Sequence, residues 1–412
     1  MEAIHRSVGG LDVHKEMVMA CRRRLIDESE AELETKKFKT TTMELRALTA
    51  WLKEWDVTHV AMESTGVYWV PIWNVLEDEF KMVLVNAQYL KKAPGRKDDV
   101  TDAEWIAQCM QCGMLKSSFV PSREVRQWRH LTRQRAKLAD QHTAVVNRVH
   151  AVLQQGNIKL SSVTSDIMGQ TCRRMLAEMI KGEQDPKVLA EMGRGRLKAK
   201  TEDLAESLDG RLDDHHRWLL KRLLHQLEEL ERETAIYNEQ IRFEMKGYER
   251  QLDLLDTIGG VGRVTAECIL AEIGPNMSQF PTDDDLLSWA GLCPGKNESA
   301  GKKRSSKIPK GNKWIKRALV EAAWATVLQK DTYLAALYRR LAPRRGKKRA
   351  LIAVARTILQ AAWHVLKKGV EYKELGGDYF NHLNEDKTKA YLVKRLQRMG
   401  FEVQLKRKHA AA

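Results

Sequence analysis

Along the first 115 residues, short runs of alternating apolar character give way to stretches with helical spacing. His5 to Asp12 and Glu16 to Arg23 read as two strands joined by a tight polar connection, and Lys36 to Thr40 as a third at a sheet edge. Thr41 or Thr42 can cap a helix through Trp55 that keeps Leu45, Leu48, Leu52 and Trp55 on one face. His59 to Met62 then reads as a short strand, Val67 to Leu76 as a helix, Lys81 to Val85 as a strand and Val100 to Met114 as a helix.

Beyond residue 118 the period changes. From Ser122 to Leu153 a long helix carries Val125, Trp128, Leu131, Leu138, Val145, Val149 and Val152 at heptad-like spacing. Leu220, Leu223, Leu227, Leu230, Thr234, Tyr237 and Ile241 alternate steps of three and four without a break. This pattern predicts a coiled-coil middle over 119–248 and a homo-oligomer, a dimer or tetramer. Residues 156–211 are polar and mixed in charge, an insertion or helical tip. A mainly α domain follows over 249–370, opening with the hairpin Ile258-Gly259-Gly260-Val261-Gly262, and 371–412 reads as a tail.

Charge narrows the class of partner. In 412 residues, 70 Lys and Arg face 55 Asp and Glu, a formal net charge of +15, so the surface field attracts polyanions, with double-stranded DNA or RNA foremost. No stretch approaches the ~18 apolar residues of a spanning helix, which excludes a membrane role and predicts a cytoplasmic protein. Six cysteines do not make the dense framework of a secreted disulfide protein. Cys109-x-x-Cys112 lacks a second ligand pair for zinc and reads as two small residues on one helix face.

Four acids stand where chemistry is possible. Asp12 ends the first strand in Gly9-Gly10-Leu11-Asp12-Val13-His14-Lys15, and Glu63 ends a later one in Val60-Ala61-Met62-Glu63. Asp99 and Asp102 lie three apart at a helix start, on one face. Singly, each reads as a turn, strand-end or capping residue. Together they would repel unless a cation compensated, and Mg2+ takes oxygen ligands of this kind together with phosphate oxygens. His14 reads as a strand-end polar residue, and Tyr68, Trp69 and Trp73 as core packing more readily than base stacking.

A second constellation lies about 200 residues on. Ser299 precedes Lys302, Lys303, Arg304, Lys307 and Lys310 in a polar loop, where the cations can hold a phosphate while charge develops. A free serine is a weak nucleophile and needs a base or metal, which no local residue announces. Gly259, Gly260 and Gly262 suit a helix-hairpin-helix turn offering backbone N–H groups to phosphate, or an ordinary helix–helix turn. Arg344, Arg345, Lys347, Lys348 and Arg349 form the densest basic run.

Three strands followed by helix, strand, helix, strand and helix is the element order of the ribonuclease H type of fold. The segments around Asp12, Glu63 and Arg96-Lys97-Asp98-Asp99-Val100-Thr101-Asp102-Ala103 resemble the RuvC-like domain of insertion-sequence transposases related to the Piv DNA invertases, the bridge-RNA-guided recombinases. The hairpin 258–262, Trp289-Ala290-Gly291-Leu292-Cys293-Pro294, Glu298-Ser299-Ala300-Gly301-Lys302 and Lys310-Gly311-Asn312 resemble that group's carboxy-terminal domain, in its order. The resemblance covers both ends of the chain but not the middle. It implies an α/β RuvC-like domain over 1–118 whose acids bind Mg2+, and a serine that forms a covalent phosphoserine with DNA. The matching serine is Ser299, although Ala300 intervenes before Gly301, so Ser305 and Ser306 stay open. It further implies a guide RNA pairing donor and target DNA. Two rivals follow from the residues themselves: a junction-specific nuclease that uses only the acids, and a non-catalytic nucleic-acid scaffold.

Overall fold

Alternation in Ser7–Val13 is that of a central strand, with side chains buried on both faces. In the computed structural model of the protein, the residues described are 3–27, 30–63, 66–86, 101–294, 297–299, 302–305, 308–383 and 385–405, less the side chains of 297–299, 302–305 and Lys387. The chain divides into two compact units, 1–120 and 121–412.

The first unit is a five-stranded mixed sheet of β1 (Ser7–Val13), β2 (Met17–Leu25), β3 (Ala31–Lys39), β4 (His59–Glu63) and β5 (Lys81–Val85), in the order β3-β2-β1-β4-β5. The two joins among β1, β2 and β3 are antiparallel, and those from β1 to β4 and β4 to β5 are parallel. β3 is longer than its apolar pattern suggests because it is an edge strand, and its exposed Glu and Lys side chains discourage further pairing. Helices α1 (Thr42–Lys53) and α2 (Trp69–Leu76) pack Leu45, Leu48, Leu52, Ile72 and Leu76 with Leu11, Val13, Val60 and Met62. Helix α3 (Asp102–Gln111) packs Ala103, Ile106 and Ala107 with Val8, Cys21 and Ala61 on the other face. Trp73 is core and Trp69 packs against it edge-on, while Tyr68 is 38% exposed.

Among its described residues, the second unit is helical apart from one hairpin. Helix α4 (Arg123–Gln155) is followed by α5 (Gln170–Lys181), α6 (Pro186–Glu191), α7 (Thr201–Leu208) and α8 (Asp214–Glu244). α4 and α8 run antiparallel, as the contacts Arg135–Asn238, His142–Glu231 and Arg148–Gln226 show. Leu220, Leu223 and Leu227 bury in one cluster with Val145, Val149 and Val152 of α4 and with Met175, Leu176, Leu189, Leu204 and Leu208 of α5 to α7. Over 220–230 the heptad positions therefore pack against helices of the same chain. The segment 156–211, polar in overall composition, supplies the apolar side chains that close this seam.

The rest of the unit holds α9 (Glu249–Asp256), α10 (Arg263–Ile273), α11 (Asp283–Ala290), the strands β6 (Asn297–Ser299) and β7 (Lys302–Ser305), then α12 (Lys313–Val327), α13 (Tyr333–Arg345), α14 (Lys347–Lys368), α15 (Tyr379–Leu383) and α16 (Glu385–Arg398). Among the described residues, no helix is long and apolar enough to cross a membrane.

Candidate functional site

In the first unit the sheet brings two of the predicted acids together. Leu11 is the register partner of Met62, so Asp12 and Glu63, the next residues, lie side by side at the carboxyl ends of adjacent parallel strands. Alternation fixes their face: Val8 and Ala61 belong to the α3 side of the sheet, while Leu11, Val13, Val60 and Met62 belong to the other. Asp12 and Glu63, in step with Val8 and Ala61, share the α3 side.

A third acid arrives with α3. A β-carbon added to Gly10 would stand 2.3 Å from the Ala103 carbonyl oxygen and 2.4 Å from the Ala107 nitrogen. Only glycine lets the helix lie this close to the strand. The start of α3 is thereby held beside the end of β1, with Asp102 as its first residue and Thr101 as its cap in a capping box with Glu104. Asp102 is exposed, and an acid in a helix's first turn also suits the macrodipole. Asp99 lies outside the described residues.

The donor set is partly assembled. Asp12 is largely covered, and its Oδ2 accepts a hydrogen bond from His14 Nε2 at 3.0 Å. Among the described residues, no three His, Cys, Asp or Glu side chains close on a common point that would hold a metal. Two neighbouring carboxylates with a third at the facing helix start nevertheless match the oxygen donors a hard divalent ion prefers. The Cys109-x-x-Cys112 pair is not such a site: Cys109 is fully buried in the core, and burial pushes its thiol up to about 11.

In the second unit, β6 and β7 form an antiparallel hairpin in which Ser299 pairs with Lys302 and Glu298 with Lys303. Ser299 thus closes β6 immediately before the turn, and Lys302, Lys303 and Arg304 lie on the facing strand. Ser306 and Lys307 lie outside the described residues, and Lys310 is exposed. The stem of this hairpin gives two glycines of the motifs quoted above a packing role that the sequence alone did not reveal. Gly291 (φ +71°) and Gly311 (φ +48°) meet so closely that a β-carbon on Gly311 would fall 2.3 Å from the Ala290 carbonyl oxygen. Two left-handed glycines flanking a loop some 20 residues apart are the trace such a clamp leaves in a sequence.

The glycine turn 258–262 has a packing role. A β-carbon on Gly260 would meet Thr326 Oγ1 at 2.1 Å, and Thr326 Oγ1 donates to the Gly259 carbonyl at 2.8 Å. Gly259 and Gly260 thus seat the turn against α12, while Gly262 is the open N-cap of α10. The basic run occupies the end of α13 and the start of α14 around Gly346 (φ +82°), with Arg344, Arg345, Lys347, Lys348 and Arg349 all exposed. Lysines at the amino end of α14 oppose its macrodipole, which concentrates positive potential there.

Residues 9–158 match the DEDD domain of the IS110 type, described as transposase. Residues 252–339 match the domain described as the IS116/IS110/IS902 transposase family. The chain is therefore a DNA transposase, an enzyme that cleaves DNA and transfers strands. Within that class it carries both domains of the IS110 type and has an IS1111 transposase among its relatives. The transposase for insertion sequence element IS1111A of Coxiella burnetii is 26% identical over 301 residues, 70% of this chain and 72% of the relative. The y4pF/y4sB protein of Sinorhizobium fredii is 23% identical over 342 residues, covering 81% and 79% of the two chains. An IS110 insertion element protein of Streptomyces coelicolor is 30% identical over 121 residues, 29% and 30% of the two chains.

Proposed function

We propose that this transposase excises and inserts its mobile element through Ser299 as nucleophile and a Mg2+ site formed by Asp12, Glu63, Asp99 and Asp102. The observation that carries the reading is the register of β1 and β4, which sets Asp12 and Glu63 side by side on the face that α3 covers. The strand order β3-β2-β1-β4-β5 also supports the ribonuclease H-like, RuvC-like assignment of this unit. When bound, Mg2+ would supply positive charge to phosphate oxygens as the phosphodiester is displaced.

The serine step needs no outside energy. Ser299 Oγ bonds to phosphorus as its proton passes to a base, the ester bond to one DNA oxygen breaks, and that oxygen takes up a proton. In rejoining, a DNA hydroxyl oxygen attacks the phosphoserine, and Ser299 leaves and regains its proton. Lys302, Lys303, Arg304, Lys307 and Lys310 follow Ser299 closely enough in the chain to hold the phosphate. Gly262 and the run Arg344 to Arg349 are further contacts to the backbone of donor or target DNA.

The resemblance to the bridge-RNA-guided, Piv-related group supports an element-encoded guide RNA, and the charge of +15 is compatible with one. Sequencing RNA that copurifies with the protein tests this. Assembly as a dimer or tetramer belongs to the same reading, and light scattering checks it.

Ser299→Ala decides the serine step: strand exchange should stop while DNA binding persists. Denaturing gels of the wild type should show a protein–DNA adduct that mass spectrometry places on the Ser299 peptide. An adduct at Ser305 or Ser306 moves the nucleophile. Full activity of Ser299→Ala without any adduct leaves the junction-type nuclease as the better reading, and activity independent of divalent metal removes the acids' role.

A further inference from the structure

The residue that closes the carboxy-terminal stem of the serine hairpin uses both halves of its side chain. Asn312 Oδ1 accepts from the backbone nitrogens of Trp314 at 2.9 Å and Ile315 at 3.3 Å and so caps α12. Its Nδ2 donates to Glu272 Oε2 at 2.7 Å. Capping alone would be served as well by Ser or Asp. An amide is the group that caps with one atom and donates with the other.

Glu272, on α10, is 1% exposed. Such a carboxylate is costly unless compensated. Arg133 of α4 donates to it through both Nε and Nη2, at 2.7 and 2.8 Å. Arg129 Nε lies 3.3 Å from Oε2 and also donates to the Ala271 carbonyl at 3.2 Å. Burial pushes the Arg129 guanidinium down to about 10, still charged at neutral pH. A planar fork from Arg133 fixes the plane of the carboxylate, and Asn312 adds a further donor at Oε2 beside Arg129. The chain thus runs from the long helix α4 through Glu272 to the first residue after Gly311, where the two clamp glycines meet.

We propose that Glu272 is a positioning residue for strand transfer: held by Arg133 and Arg129, it fixes through Asn312 the stem from which the Ser299 hairpin projects. The proposal rests on the serine reading above. Glu272 touches no reacting atom in this scheme, and it acts on where the serine is presented. Misplacing a reacting group by about 1 Å can cost on the order of a hundredfold in rate.

The test is a set of full-length variants in which the cap is kept while the brace is altered. Asn312→Ser retains capping but cannot reach Glu272. Asn312→Asp retains capping and sets two carboxylates against each other. Three quantities are read: DNA affinity, the rate of Ser299 adduct formation at saturating DNA, and amide hydrogen exchange over 289–294 and 308–316. The expected result is unchanged affinity, and at least about tenfold slower adduct formation with faster exchange in each Asn312 variant. Wild-type adduct rates in both variants would overturn the proposal, as would slower adduct formation with hydrogen exchange over the stem unchanged. If the wild type forms no adduct at Ser299, the serine reading fails, and hydrogen exchange alone then decides whether the brace orders the stem.

Discussion

Gly10 of β1 lies so close to Ala103 of α3 that an added β-carbon would stand 2.3 Å from the Ala103 carbonyl oxygen. The glycine is what brings the helix start bearing Asp102 to the strand bearing Asp12. Gly10→Ala should cost about 3 kcal/mol or more, at the upper end of overpacking, because the obstacle is backbone and cannot rotate away. Denaturant unfolding of residues 1–120 within the whole chain measures it. A loss under about 1 kcal/mol would show that α3 can shift without penalty.

Replacing Asp12 by Asn or Glu63 by Gln should abolish cleavage and leave the melting temperature nearly unchanged, because each change removes a charge at a strand end and not a core group. Purified variants are compared for nicking of element-end DNA across a Mg2+ titration. Cleavage at the wild-type rate in either variant removes that acid from the site.

Leu220 and Leu227 are fully buried in the arm. Leu220→Asp or Leu227→Asp should destabilise the second unit by about 3 kcal/mol or more, by burying an unpaired charge in place of a well-packed side chain. Calorimetry reads the stability, and light scattering reads the mass. A fall in mass with no loss of stability would return the seam to a contact between copies.

DNA affinity should fall steeply with salt, by a log–log slope of about 0.9 per phosphate contact on duplex DNA. Reversing Arg344, Lys347 and Lys348 to Glu should flatten that slope if the exposed turn around Gly346 meets phosphate. A slope identical to the wild type's would place the contacts elsewhere.

Two buried thiols set a limit at high pH. Burial is the main cause that raises Cys21 to about 12 and Cys109 to about 11, against about 8.5 for an exposed thiol. Since the folded values lie above the unfolded one, the neutral thiols' contribution is complete below about pH 8.5 and is lost as pH rises toward the folded values. Between pH 8 and 10 the wild type should lose more thermal stability than a variant carrying Cys21→Ala and Cys109→Ala, by up to about 1.4 kcal/mol per thiol for each pH unit above 8.5. Equal losses would mean the thiols ionise in the folded protein.

The alternation of apolar residues was enough to place β1, β2, β4, β5, α1 and α3 to within a few residues, because each element buries a face whose period is local. The same local periods put Asp12 and Glu63 at strand ends and Asp102 at a helix start. Three things needed the tertiary structure. Register set which strand ends are neighbours, and no sequence period encodes that β1 pairs with β4 across the whole of β2, β3 and α1. A heptad records that a seam is apolar but not whose helix covers it, so the arm closed by residues 156–211 read as a contact between copies. Glu272, Arg133 and Asn312 lie far apart in the chain and look like ordinary polar residues. Only folding takes the carboxylate out of water, and that desolvation makes its partners necessary.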